Sequence, residues 1–515
     1  MALHTRSDAT MGHRPPAGLR RHTHTPAPPR FPTEIWCDIW ERLPFSACIA
    51  VTHTCRAWRL TALAWPEIWT RPVFHTSISS LPLPNLRTER TNVDCAREVF
   101  ERSGNRALHI QIDITTQDAY HFAILDLAAA LSCVSYRTAS ICVRSVDLSA
   151  ADIFLREIIR FPARTALSEP HLEHVCSYPM LRHISVQNLC AQADAQWHSH
   201  EVFFPREVDA PRLESVELAA GAEWPPGASN YPQLRRLSLS PVHCMYSDVA
   251  QALKACPFLE CLSINLGAVM PLLKSSPAVY TPTLRSLTSG LRVVRIVNLC
   301  ESYEAMALSV FNNPESREIT IEGVTYSAVK HCGEIFSALG PGIHISALRD
   351  HDRVGVEGMD GSGKRRAVSC PCPRGPRDIM TRIVSGTDTD WDRVVRLTVT
   401  ASHWFRFADA LHSAPAVRSL TLVISTGAIL DALPRWAVPT IPRRTKFPAL
   451  RKLDVIGGDG APKVAARDIA AVVRSIDIPL PLAVLGVDHR IFLGSRAVLC
   501  DLAEKVSVRV YRLRY

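Results

Sequence analysis

A short apolar motif recurs along this chain of 515 residues and limits its possible folds more than any other feature. The motif is a proline followed by three spaced aliphatic residues, in the pattern Pro-x-Leu-x-x-Leu-x-Leu, with other aliphatic residues allowed in place of leucine. Weaker copies cover 282–287, 291–296 and 394–399. The last four residues alternate between apolar and polar, which predicts a short strand buried on one face. The full copies begin at Pro179, Pro211, Pro232, Pro257, Pro415 and Pro448.

The spacing of the copies indicates how these strands are arranged. Four successive copies follow one another at intervals of 21 to 25 residues, and their first aliphatic residues are Leu213, Leu234, Leu259 and Leu284. Leucine-rich repeats have this spacing. Helical spacing of apolar residues within 246–256 and 404–411 predicts helices that end before the next proline. Because a single strand and helix cannot bury their own apolar faces, we expect an α/β fold, a leucine-rich-repeat-like solenoid of short parallel strands and helices, over residues 105–515.

Several segments lack the motif. Residues 1–30 are rich in proline, histidine and arginine and predict a disordered basic tail, with a mitochondrial transit peptide as the alternative that the prolines disfavour. Residues 76–104 predict a linker and a first helix, with helical spacing over 92–102. Residues 349–392 contain many glycines and prolines and predict a flexible insertion in the solenoid. A shorter proline-bearing loop is expected at 432–446.

Charge and composition exclude several classes of function. The net charge is +9, but about half of it lies in the tail, and no predicted face of the body concentrates basic residues, so we expect no nucleic-acid binding. The sixteen cysteines lie mostly inside apolar segments, which is typical of buried, reduced thiols in a cytoplasmic and/or nuclear protein. No run of residues is long and apolar enough to span a membrane, so we expect no membrane association.

Residues 31–75 differ in character from the repeats because they hold five of the ten tryptophans. Three short helices are predicted here. The first begins after Pro32 and has Glu34 in its first turn, Ser46 can cap the second, and the third covers Arg56–Ala64. A module of this size cannot enclose so many large apolar side chains. We therefore expect part of its surface to be buried against a partner.

The residue order in this module resembles the F-box family. The family pattern is Leu-Pro-x-Glu-Ile, spaced aliphatic residues, a valine followed by Cys-Arg-x-Trp-Arg, and a closing Pro-x-Leu-Trp. This chain has Phe31-Pro32-Thr33-Glu34-Ile35, then Val51 and Cys55-Arg56-Ala57-Trp58-Arg59, and finally Pro66-Glu67-Ile68-Trp69. The resemblance covers about residues 31–70 and is similar to fungal F-box proteins with a C-terminal leucine-rich-repeat-like region. Phe31 and Trp40 depart from it, because the family usually has leucine and a smaller residue there.

The resemblance implies a three-helix module that docks on the Skp adaptor of SCF-type ubiquitin ligases, and through it on a cullin scaffold. The positions that carry over as adaptor-binding residues are Pro32, Ile35, Ile39, Leu43, Val51, Cys55 and Trp58. Alternatively, Ile35, Ile39 and Trp58 serve only the core of the module. The expected function is that of a substrate-recruiting adaptor subunit whose repeats bind an unknown target protein. A leucine-rich-repeat scaffold without ubiquitin function is the alternative.

Two further patterns suggest chemistry only weakly. Residues 358–365 nearly spell a phosphate-binding loop and would imply a nucleotide-dependent switch, but Arg365 stands where a serine or threonine would hold magnesium. Cys370 and Cys372 can supply two ligands to zinc, yet no second pair follows at a suitable spacing. Motifs for nucleophilic or metal-dependent hydrolysis are missing. We therefore expect no catalytic residue, no metal and no cofactor, and a protein that is not an enzyme.

Overall fold

The chain forms two compact units, Met1–Ile68 and Trp69–Tyr515. The structure is a computed structural model, and it describes a set of segments separated by gaps. These are residues 31–76, 87–115, 122–146, 148–166, 178–188, 202–203, 210–218, 222–224, 231–240, 246–266, 284–298, 308, 310–324, 334–349, 353–371, 391–401, 404, 414–424, 447–458, 460–476, 478 and 480–511. The predicted tail at 1–30 and the predicted loop at 432–446 lie outside them.

The first unit contains three short helices, as predicted. They are α1 (Thr33–Trp40), α2 (Phe45–Thr54) and α3 (Arg56–Ala64), and a 3-10 turn begins at Pro66. Pro32 and Pro44 occupy the positions before α1 and α2, where a fixed φ and a missing N–H cost a helix nothing. The prediction that Ser46 caps α2 is wrong, because the helix already begins at Phe45. The Cys55 sulfur caps α3 by accepting a hydrogen bond from the Trp58 N–H.

The second unit is built from strands and helices. Among the described residues, its longer helices are α4 (Arg87–Arg102), α5 (Phe122–Ser132), α6 (Leu148–Ala166), α7 (Tyr246–Ala255) and α8 (Ala466–Ser475). Its strands are β1 (Val73–Thr76), β2 (Leu108–Ile114), β3 (Thr138–Ser145), β4 (His183–Asn188), β5 (Val202–Phe203), β6 (Ser215–Leu218), β7 (Ala222–Glu223), β8 (Arg236–Leu239), β9 (Cys261–Asn265), β10 (Val293–Val297), β11 (Glu318–Glu322), β12 (Ile343–Arg349), β13 (Arg353–Met359), β14 (Arg365–Pro371), β15 (Val394–Thr400), β16 (Ser419–Ile424), β17 (Lys452–Gly457), β18 (Val464–Ala465), β19 (Leu482–Asp488), β20 (Phe492–Leu493) and β21 (Ala503–Arg509).

One sheet joins seventeen of these strands, and they lie side by side almost in chain order. The order runs β1, β2, β3, β4, β6, β8, β9, β10, β11, β14, β13, β12, β15, β16, β17, β19, β21. All neighbours are parallel except β14 with β13 and β13 with β12. Strands β5 with β7 and β18 with β20 form two small parallel pairs. The predicted α/β class with parallel strands is therefore confirmed.

The register of the sheet explains why the motif repeats. Val216, Leu237, Leu262 and Val294 are register partners on four neighbouring strands, and all four are buried. The next aliphatic residues of the motif form a second buried row in the same way. Apolar side chains of α4 to α8 belong to the same core cluster as these rows. The helices therefore cover the apolar face of the sheet, and the opposite face, called here the polar face, carries the alternate residues of each strand.

Most copies of the motif coincide with strands of the structure. Its six full copies coincide with β4, β6, β8, β9, β16 and β17, and the helix predicted at 246–256 is α7. The weak copies at 291–296 and 394–399 are β10 and β15. The weak copy at 282–287 is a wrong prediction, because residues 284–288 are helical. The helix predicted at 404–411 lies largely outside the described residues.

Two predicted boundaries are corrected. Residues 69–75 were expected to belong to the N-terminal module, but they lie in the second unit because β1 pairs with β2. The sheet consequently begins before residue 105. Helix α4 begins at Arg87 and occupies part of the predicted linker. None of the helices in the described part of the chain is long and apolar enough to cross a membrane.

The prediction of a flexible insertion at 349–392 is wrong for residues 353–371, which form strands. Strands β12, β13 and β14 form an antiparallel meander within the sheet, and its outer strands pair in parallel with β15 and β11. Alternating buried residues such as Val354, Val356 and Val368 carry the strand period, which the glycines obscured. Gly358 is required by packing, because a Cβ would lie 2.8 Å from Leu339 Cδ1. Residues 372–390 lie outside the described part.

Candidate functional site

The small core of the first unit is aromatic. The rings of Trp36, Trp40 and Trp58 pack against one another in a triangle, with centroid distances of 4.8, 5.5 and 6.2 Å. Trp40 is 2% exposed, so this departure from the family pattern concerns the core of the module rather than its surface. Beside it, the Cys48 thiol donates to the Trp40 carbonyl oxygen at 3.3 Å. Burial raises the pKa of the Cys48 thiol, which makes it an unreactive core residue.

Because these rings occupy much of the core, several large aliphatic side chains of the unit remain outside it. Ile35 and Ile39, one turn apart on α1, are 43% and 41% exposed. Their exposure argues against the alternative that they serve only the core. The exposed large apolar residues of this unit, named here the apolar helical surface, are Phe31, Ile35, Ile39, Leu43, Ile49 and Leu60. An accumulation of this kind on so small a unit is typical of an interaction surface.

The predicted adaptor-binding residues divide into two groups. Pro32, Ile35, Ile39, Leu43 and Cys55 are exposed. Val51 is buried and Trp58 is half-buried in the aromatic core, so these two side chains support the surface from behind.

Sequence reasoning missed two members of the surface, Ile49 and Leu60. Leu60 is 59% exposed. Both lie in predicted helices, but only the packed structure shows which side of those helices faces outward. The sequence nevertheless contained a signal for their exposure, because the large rings of Trp36, Trp40 and Trp58 occupy much of so small a core.

Polar contacts and a buried thiol lie beside the apolar helical surface. Trp65 Nε1 donates to Glu41 Oε1 at 2.8 Å, which ties the end of the unit to α1. Cys37 is buried, and its thiol pKa is raised by burial and by the nearby carboxylates of Glu41 and Asp38. The apolar helical surface can therefore hold a complementary apolar partner.

The segment resembling a phosphate-binding loop is the turn between β13 and β14. Asp360 accepts hydrogen bonds from the backbone N–H groups of Ser362, Lys364 and Gly340 at 2.7 to 3.0 Å. The Lys364 ammonium donates to the Pro314 carbonyl oxygen at 2.9 Å. The amides and the lysine that would hold a phosphate are thus engaged within the protein. This arrangement argues against a nucleotide-dependent switch.

The two cysteines considered as zinc ligands are Cys370 and Cys372. Cys370 is buried in β14 and its thiol donates to the Val324 carbonyl oxygen at 2.9 Å, while Cys372 lies outside the described residues. Among the residues that the structure describes, no group of three or more His, Cys, Asp or Glu side chains could hold a metal ion. Among the described cysteines, none forms a disulfide with another.

Neither a comparison of the chain with models of known protein families nor a comparison with curated proteins finds a match.

Proposed function

We propose that the chain is a substrate-recruiting adaptor subunit of an SCF-type E3 ubiquitin ligase. In this proposal the first unit is an F-box that docks on the Skp adaptor, and through it on the cullin scaffold. The second unit is a leucine-rich-repeat-like solenoid whose polar face binds a target protein. Ubiquitin transfer would be done by other subunits, and this chain would contribute proximity between the target and the activated ubiquitin. The proposed compartment is the cytoplasm and/or the nucleus.

The observation that carries the proposal is the apolar helical surface. Three helices built around a tryptophan core leave Ile35, Ile39 and Leu43 in solvent, where each costs hydration free energy unless a partner covers it. These residues are also family positions of the F-box pattern. Parallel strands in chain order support the solenoid, because adding each unit beside the previous one is how repeat proteins extend.

A binding assay with a purified Skp adaptor tests the docking. We expect the double substitution Ile35→Asp plus Leu43→Asp to weaken binding at least about tenfold, because charged groups would be buried in an apolar interface. Both residues are exposed, so the helices should remain folded by circular dichroism. The matched control is Phe258→Asp plus Leu493→Asp, which changes two exposed apolar residues of the second unit. The proposal fails if the wild type binds no adaptor or if both double variants bind equally well.

The second candidate is a leucine-rich-repeat scaffold without ubiquitin function. Phe31 favours it, because this ring packs edge-on against Trp36 at 5.4 Å where the family usually has leucine, and it changes the outline of the docking surface. The same assay separates the candidates. A folded wild-type chain that binds its target but no adaptor would support the scaffold.

A further inference from the structure

Charged residues stand just before successive strands, along what is called here the leading edge of the sheet. From β4 to β10 the residue just before each strand alternates in sign and forms ion pairs across strands. The Arg182–Glu214, Arg235–Glu260 and Arg292–Glu260 pairs have N–O distances of 3.9, 3.1 and 3.7 Å. The arginines on this part of the leading edge are therefore paired with carboxylates.

Arg418 and Arg451 stand just before β16 and β17, on the leading edge, and Arg396 lies inside β15 as the register partner of Ser419. These three arginines are called here the basic patch. All three are exposed. Arg418 and Arg451 lie on adjacent strands at the same level, since the Arg451 N–H donates to the Arg418 carbonyl oxygen at 3.0 Å. Within the described segments, none of the three takes part in an ion pair. Like charges about 5 Å apart repel each other, so an anion at the patch would be favoured.

Small polar side chains surround the patch and leave space between the guanidinium groups. Ser419 is the register partner of Arg396 on one side and of Lys452 on the other. Thr398 and Thr421 follow on the same face, two residues further along β15 and β16. Arginine with serine or threonine hydroxyls is a donor set suited to oxyanions, because guanidinium groups bind carboxylates with two parallel hydrogen bonds.

The size of the patch decides between two classes of partner. Three arginines across three strands span about 10 Å, which matches two or three carboxylates on alternate residues of an extended peptide. Asp454 already pairs with Lys452 beside the patch, and a nucleic acid that extended further would also meet Asp488 at the end of β19. Nucleic-acid binding also depends on neutralising many phosphates, and the neighbouring leading edge is already paired.

We propose that the basic patch binds a short extended segment rich in aspartate and glutamate in the target protein. This inference rests on the proposed function, in which the second unit recruits a target, and it assigns the chemistry of that recognition. Binding is expected to be electrostatic and to weaken as salt rises, because the arginines are exposed.

Fluorescence anisotropy on the full chain tests the inference, with a labelled peptide that alternates glutamate or aspartate with serine as the probe. We expect Arg418→Glu plus Arg451→Glu to weaken binding about tenfold or more. The matched control, Arg182→Glu plus Arg292→Glu, makes the same change in net charge at paired positions and should weaken binding less than about threefold. Raising the salt from about 50 to about 300 mM should also weaken wild-type binding.

Several outcomes would overturn the inference. With the acidic peptide, they are no binding by the wild type and equal loss of binding in both double variants. With other probes, they are equal binding of a peptide that has glutamine and asparagine in place of the acids, tighter binding of an oligonucleotide of equal charge, and tighter binding of a peptide whose only anionic side chain is one phosphoserine. If circular dichroism shows that the charge-reversal variant is unfolded, Arg418→Ser plus Arg451→Ser is measured instead, and the same loss of peptide binding is expected.

Failure of this inference can be distinguished from failure of the proposed function. If Ile35→Asp plus Leu43→Asp loses adaptor binding but still binds the acidic peptide, the loss concerns the first unit alone. This result supports a basic patch that binds the peptide independently of the adaptor. An adaptor-binding wild-type chain that ignores the acidic peptide overturns the patch assignment alone.

Discussion

Single residues in this protein take positions that their chemistry would not suggest. Arg366 lies in one of the apolar rows of the sheet, as the register partner of Ile319 and Gly358, and is fully buried. Its guanidinium donates to the carbonyl oxygens of Ser316 and Arg365, both at 2.9 Å. Burial lowers the pKa of Arg366. The arginine thus satisfies the Ser316 carbonyl oxygen of the turn before β11 and the Arg365 carbonyl oxygen of β14.

The substitution Arg366→Met is expected to lower the free energy of unfolding by about 1–3 kcal/mol, because it keeps the volume but leaves those buried carbonyls without a donor. Urea denaturation followed by circular dichroism measures the change. Arg317→Met is the control, since this neighbouring arginine is exposed, and it should stay within about 0.5 kcal/mol of the wild type. A methionine variant as stable as the wild type would show that the buried charge costs as much as its hydrogen bonds return.

At the scale of elements, the β12–β13–β14 meander has a turn held by one carboxylate. Burial by itself would raise the pKa of Asp360, but hydrogen bonds from Ser362, Gly340 and Lys364 outweigh it and hold the pKa below its usual value of 3.8. A carboxyl group whose folded-state pKa is lowered stabilises the protein above its unfolded-state value. That stabilisation is lost as the pH falls through the lower, folded-state pKa.

Asp360→Asn is therefore expected to lower the unfolding free energy by about 1–3 kcal/mol at neutral pH, since an amide cannot accept all of these hydrogen bonds. The difference from the wild type should shrink as the pH falls below about 4, where the carboxyl group of the unfolded chain takes up a proton, until the pH reaches the lower folded-state pKa of Asp360. Denaturation midpoints measured at several pH values check this. Asp501→Asn, on an exposed residue, is the control and should stay within about 0.5 kcal/mol of the wild type at neutral pH. A constant deficit at all pH values for Asp360→Asn would contradict the assignment.

At the scale of the whole molecule, the polar face differs between its regions. The last strands of the sheet are covered by a segment that follows β21. The Tyr511 hydroxyl donates to Asp454 Oδ1 at 2.9 Å, and the ring lies over Gly486 of β19, where a Cβ would collide with it. Arg490 binds Asp488 and also donates to the Tyr511 carbonyl oxygen at 2.9 Å. The polar face of β17 and β19 is thus partly closed, next to the exposed basic patch.

A double-mutant cycle tests this cover. Gly486→Ala is expected to cost about 1–3 kcal/mol of unfolding free energy in the wild type, because the added methyl displaces both Tyr511 and the Asp454 carboxylate, and only the first of these clashes is removed in a Tyr511→Ala background. In a Tyr511→Ala background the cost should fall by at least about 0.5 kcal/mol. Gly355→Ala is the control, since its Cβ would meet only ordinary contacts, the nearest at 3.6 Å. Equal costs of Gly486→Ala in both backgrounds would mean that Tyr511 does not cover the sheet.

Much of the fold follows from local sequence. The motif copies became parallel strands because alternation of apolar and polar residues determines which face of a strand is buried, whatever surrounds it. The sequence did not predict the meander, because Gly358 and Arg366 interrupt that alternation. The neighbours of Gly358 leave no room for a side chain, and the neighbours of Arg366 need a buried hydrogen-bond donor. Both residues are explained only by Leu339 and the turn at 313–317, which are distant in sequence.

The candidate sites show the same division. Sequence alone determined that residues 31–69 form three short helices with more apolar side chains than they can enclose, and that the repeats form an α/β body of parallel strands. Only tertiary structure decided that the tryptophans fill the core while Ile35, Ile39, Ile49 and Leu60 remain outside, because competition for one small interior depends on shape and volume. It also decided which arginines find carboxylates, since residues as distant as Arg235 and Glu260 become neighbours only when strands align.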